Sequence, residues 1–120
     1  MRALRIALLG LLLVGCASRV AVAEPFELES ARDEARELTD ELSALDEGAA
    51  AALRREASCE EADLCAIGAQ ICSLSERLCA IADRHAGDRE LASRCADGRR
   101  RCARTRERVQ EACDCEGEGG

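Results

Sequence analysis

Residues 59–115 read CEEADLCAIGAQICSLSERLCAIADRHAGDRELASRCADGRRRCARTRERVQEACDC, and they hold eight of the chain's nine cysteines. The spacing is almost symmetrical about Gly87. Cys79 with Cys95, Cys72 with Cys102 and Cys59 with Cys115 each share a residue-number sum of 174, while Cys65 with Cys113 gives 178. A common sum is the signature of an antiparallel hairpin, because residues equidistant from the turn lie at one height. Two helices joined near Gly87 and Asp88 would therefore close the rungs Cys79–Cys95 and Cys72–Cys102. For the outer four the sums favour Cys59–Cys115 and Cys65–Cys113, with the reverse assignment left open because the chain can leave the helix there.

Both arms carry helical periodicity. Leu64, Ile67, Ile71, Leu74, Leu78 and Ile81 recur at alternating spacings of three and four. Cys65, Cys72 and Cys79 each follow one residue behind a member of that stripe, and one residue is about 100° of helix. The cysteines thus form a second line, and two lines imply two neighbours: the cysteine line faces the third helix, and the aliphatic stripe packs into the groove shared with the first. Ser58 with Glu61 offers a capping box at the start of this arm. Gly87 suits its end and Asp88 the next N-cap. Leu91, Cys95, Gly98, Cys102, Thr105, Val109 and Ala112 then continue the pattern. The C-x6-C pair in each arm repeats every two turns of a left-handed coiled coil, about 10.5 Å of rise.

Upstream, Leu28, Ala31, Ala35, Leu38, Leu42, Leu45, Ala49 and Ala52 form a heptad seam. Ser30 with Asp33 is a capping pair for it, and Gly48 is its weak point, costing about 1 kcal/mol relative to Ala. The segment from Glu24 to Glu47 holds ten carboxylates and two arginines, whereas Asp88 to Cys113 holds eight arginines and five acids. The basic third helix should complement the acidic first. The expected fold is all-α: a disulfide-stapled antiparallel helical hairpin with a preceding amphipathic helix, together a three-helix bundle. Its divisions are a signal peptide at 1–15, a tether at 16–27, the acidic helix at 28–57, the cysteine-rich hairpin at 58–115 and a disordered tail at 116–120.

With 120 residues the chain holds one domain at most. Phe26 is the only aromatic residue, so apolar burial per residue is thin and a domain of this size gains from staples. Behind an export signal, eight such cysteines read as disulfides. The formal charge of −7 becomes about −9 once Arg2 and Arg5 leave with the signal, which argues against nucleic acid as a partner. Every basic residue apart from His85 is Arg, as a GC-rich genome would produce.

The export segment has Arg2 and Arg5 followed by the apolar run Ile6 to Val14. Nine residues are too few to span a bilayer, which takes about 20. The run ends in Leu13, Val14, Gly15, Cys16, and this resembles the lipobox of bacterial lipoproteins at all four positions. The resemblance implies that Cys16 receives a diacylglycerol thioether, becomes the first mature residue and is then acylated, palmitate being the usual chain type. Membrane lipid would be the partner through acylated Cys16, and several acyl chains anchor well beyond the marginal hold of one. Ala17 after Cys16 favours the outer membrane by resemblance to enterobacterial sorting. A rival A-x-A site at Ala21, Val22, Ala23 would release a secreted protein beginning at Glu24.

The twin-cysteine hairpin is similar in architecture to the coiled-coil-helix-coiled-coil-helix proteins, although those space their cysteines C-x9-C or C-x3-C. Lipobox, acidic seam and hairpin together resemble uncharacterised cysteine-rich lipoproteins of myxobacterial type. Neither likeness implies an activity.

Candidate chemistry is sparse. His85 is the only histidine and sits in the last turn of a helix, where a cation favours the C-terminal dipole. Cys113 and Cys115 form a C-x-C pair, whose own disulfide would be strained and oxidising. The C-x6-C spacing is not that of zinc ligands. Arg100, Arg104 and Arg108, flanked by Arg99 and Arg101, form a stripe that either pairs with acids of the first helix or holds phosphate. No catalytic residue, cofactor or metal site is read here, and the chain is not expected to be an enzyme. The expected role is structural or protein-interaction scaffolding in the cell envelope, with an envelope protein or a second copy as partner. The alternative is periplasmic thiol exchange or metal handling through Cys113 and Cys115.

Overall fold

The computed structural model describes residues 25–115. Three helices fill it: α1 (Pro25–Arg54), α2 (Leu64–Arg84) and α3 (Arg89–Ala112). The expected all-α bundle is the observed architecture. The expected signal peptide, Cys16, the rival site at Ala23 and the tail at 116–120 lie outside the described residues.

Helix α1 begins at Pro25, three residues before the seam suggested, so Ser30 and Asp33 sit inside the helix and do not cap it. Proline is at home in a first turn because its fixed φ is already helical and its missing N–H has no partner to lose. The helix also runs unbroken through Gly48. It stops at Arg54 because Glu56 turns left-handed, at φ 53°. Glu56 N–H then donates to the Leu53 carbonyl and Ala57 N–H to the Ala52 carbonyl, the double hydrogen bond of a Schellman stop.

The second helix starts later than the Ser58 cap implied. Ser58 Oγ does accept from Glu61 N–H at 3.1 Å. However, the turn it opens closes at once, because Asp63 is left-handed at φ 50° and Leu64 N–H reaches back to the Cys59 carbonyl. A second Schellman stop thus separates one short turn from α2 proper. At the far end Gly87 adopts φ 95°, and Asp88 caps α3 by accepting from Leu91 N–H at 3.0 Å.

Helices α1 and α3 run parallel, with α2 antiparallel to both: Arg32 and Arg36 meet Asp88 and Glu90 near one pole, while Asp46 meets Arg101 and Thr105 further along. The main core joins Ala31, Ala35, Leu38 and Leu42 of α1 to Ile71, Leu74, Leu78 and Ile81 of α2 and Leu91 of α3. The seam of α1 is therefore satisfied within the chain. By length and composition α2 is apolar enough to cross a membrane, but its Leu and Ile side chains are these core residues, so its hydropathy is that of a central bundle helix. The cysteine line faces α3, where Cys72–Cys102 and Cys79–Cys95 hold Cα atoms 4.7 and 4.6 Å apart. Gly98, between those rungs, makes this approach feasible. A β-carbon there would stand 3.2 Å from Ser75 Oγ and 3.3 Å from Leu78 Cδ1.

Candidate functional site

The chemistry-bearing side chains gather at the pole where α1 and α3 end and α2 begins. There the outer disulfides join Cys59 to Cys113 and Cys65 to Cys115. This corrects the nested pairing favoured by the residue sums. The sums assume straight helices on both sides, and neither continues that far. The left-handed turn at Asp63 folds Cys59 off the α2 axis, and α3 ends at Ala112, leaving Cys113 extended at φ −131° and ψ 148°. Cys59 Sγ is drawn to 3.5 Å from the Ala112 carbonyl oxygen, beside Cys113, and Cys115 is left to reach the first turn of α2. The inner rungs stand as the symmetry indicated.

A second, smaller core lies beneath these bonds. Ala49, Ala52, Leu64, Val109 and Cys113 are its buried members, with Cys59, Cys65 and Cys115 packed on it. All eight cysteines among the described residues are in disulfides. Cys113 and Cys115 bond to different partners, so the C-x-C pair does not close on itself. In this oxidised form no group of three His, Cys, Asp or Glu side chains is assembled to hold a metal ion among the described residues.

The opposite pole is electrostatic. Arg32 of α1 binds the Asp88 carboxylate through Nη2, and Arg36 holds Glu90 at 3.1 Å. The Arg32 hydrogen bond, with help from Leu91 N–H, holds the Asp88 carboxyl below its ordinary value, and Asp88 in turn raises Arg32. His85 stands at the C-cap of α2 in the same turn, as its helix-end reading required.

The expected match of an acidic α1 with a basic α3 holds at mid-helix. Thr105 Oγ1 donates to Asp46 Oδ1 at 2.9 Å, Arg101 donates to Ser43 Oγ at 2.9 Å, and Arg101 and Arg104 both lie 3.7 Å from Asp46. It reverses near Asp88, where α1 supplies the cations. Of the arginine stripe, Arg100 pairs with Asp97 on its own helix, and Arg99 and Arg108 make no ion pair among the described residues. The stripe is thus divided between the first helix, its own helix and solvent. Reading the sequence missed the Arg32–Asp88 contact and the Asp46–Thr105 bond, since pairing across 56 and 59 residues leaves no local signal.

No protein-family model, curated protein or solved structure matches the chain.

Proposed function

We propose that the protein is a lipid-anchored component of the bacterial cell envelope, held through acylated Cys16, whose bundle is a structural or protein-interaction scaffold facing the periplasm or the outside. The observation that carries this reading is Phe26. It is the chain's only aromatic residue, it stands 77% exposed in the first turn of α1, and it follows Cys16 by ten residues. A large apolar side chain left outside the core next to an acylation signal has an obvious use at a lipid surface, where apolar contact adds to the anchor.

The interaction face would be the outer side of α1. Glu34, Glu37, Asp40, Glu41 and Glu47 are exposed and make no ion pair among the described residues. The buried seam favours this face over a coiled coil as the contact, and its charge suits a basic segment of an envelope protein.

Labelling cells with a palmitate analogue tests the anchor. The wild-type chain should incorporate label and yield an N-terminal diacylglyceryl-cysteine peptide by mass spectrometry, and Cys16→Ala should abolish both. A mature chain that starts at Glu24 and carries no lipid would refute the anchored reading in favour of a secreted protein.

A further inference from the structure

Four sulfurs are brought together at the pole where helices give way to turn and extended chain. The hydrogen bond from Leu64 N–H to the Cys59 carbonyl, at 3.1 Å, folds Cys59 back beside Cys65. Cys113 and Cys115 are two residues apart on backbone that has left α3. The two bonds hold their Cα atoms 5.8 and 5.7 Å apart, and all four cysteines share one small cluster.

This quartet differs in kind from the ladder. Cys79 and Cys95 are 6% and 9% exposed, and opening either rung means parting α2 from α3. Burial alone does not divide the two sets, since Cys59, Cys65 and Cys115 are half-buried but so are Cys72 and Cys102, and Cys113 is 6% exposed; the backbone does. Of the four, only Cys65 lies within a helix, in its first turn, so the ends can open locally without melting a helix. Thiol exchange requires a thiolate to reach a sulfur, and the outer bonds, tied to turn and extended chain, can offer theirs by local opening, whereas the rungs are held between two paired helices.

We propose that this pole is a convertible four-cysteine site: a dithiol reductant turns Cys59–Cys113 and Cys65–Cys115 into four thiols, which then bind one soft divalent cation such as Zn2+. Each disulfide takes two electrons and two protons from one dithiol, which leaves as its own disulfide. Two dithiols therefore yield four thiols. The cation then displaces the four thiol protons to solvent as the metal–sulfur bonds form. Tetrahedral thiolate coordination has Zn–S bonds of about 2.3 Å, so the two sulfurs of each opened bond would part to about 3.8 Å. Zinc motifs place two to four residues between paired cysteines when the local chain alone must aim both sulfurs. Cys113 and Cys115 have one residue between them and Cys59 and Cys65 have five, and the extended backbone after α3 and the left-handed turn at Asp63 take the place of that spacing. The only histidine is at the other pole, so the ligand set is sulfur alone. The inference goes beyond the scaffold reading and does not depend on the anchor.

The test uses the full processed chain. It is treated with limiting dithiothreitol, desalted without air, alkylated in one portion for peptide mapping and titrated in another with Co2+ as the probe. Cys59, Cys65, Cys113 and Cys115 should be alkylated while Cys72–Cys102 and Cys79–Cys95 remain joined. Co2+ should bind once per chain, with the strong charge-transfer and visible bands of a tetrahedral thiolate centre. Those bands should be lost in Cys65→Ser with Cys115→Ser and in Cys59→Ser with Cys113→Ser, each checked for intact ladder bonds, and kept in Cys72→Ser with Cys102→Ser. The proposal is overturned if the ladder opens together with the outer bonds, if the Co2+ spectrum lacks tetrahedral thiolate character, or if the bands survive in the first two variants.

Discussion

Gly48 and Gly98 are both interior helical residues, and a methyl group added to each meets opposite surroundings. Nothing lies within 4 Å of a β-carbon built on Gly48, so Gly48→Ala should gain helix propensity at no steric cost, about 1 kcal/mol. At Gly98 the same atom meets Ser75 and Leu78 at 3.2–3.3 Å in a gap that two disulfides hold closed, and Gly98→Ala should lose about 1–3 kcal/mol. Denaturant titration of the two variants under oxidising conditions reads both signs, and a neutral Gly98→Ala would show that α2 and α3 can part between the rungs. At this scale the sequence was legible where a residue did its commonest work, as Asp88 does at an N-cap. Glu56 and Asp63 were opaque because both end turns in the left-handed region, where glycine is the usual occupant. Tertiary closure by the disulfides and the small core overrides that preference, and nothing local in the sequence marks it.

Between elements, the contact of α1 with α3 combines core burial with ionic register. Asp88 is both the N-cap of α3 and the partner of Arg32, and its carboxyl is held below the ordinary value by that guanidinium. A carboxyl with a lowered native pKa contributes stability that is fully present above its unfolded value near 4 and is lost as pH falls through the native one. Asp88→Asn keeps a capping oxygen and removes the charge. Its thermal midpoint should therefore lie below that of wild type at pH 7, and the two curves should converge as the pH drops from 5 to 2. Parallel curves across that range would show that the Arg32 contact adds nothing. The hairpin was readable because its symmetry is arithmetic: rungs equidistant from Gly87 must meet if both arms are straight. The same arithmetic misassigned the outer bonds where straightness ended, at Asp63 and Ala112. The position of α1 was readable as a seam, but its ionic partners were not, because sequence charge counts average over the two poles that the structure treats oppositely.

For the whole molecule, three helices in alternating directions place the beginning and the end of the bundle at opposite poles. Phe26 and the turn at Gly87 share one pole, and the outer disulfides occupy the other. Under the proposed anchoring, a polarity-sensitive fluorophore attached at position 26 should be shielded by lipid in vesicles carrying the acylated chain, and one at position 55 should stay in water. Equal shielding at both positions would mean that the bundle lies flat. The thirty residues of α1, at about 1.5 Å each, then lift the Cys59–Cys113 and Cys65–Cys115 end roughly 45 Å off the membrane. If the chain is anchored in this way, an odd number of helices makes it a stalk with a head: an even number would return the last disulfides to the lipid surface, whereas three would present them to whatever diffuses above it.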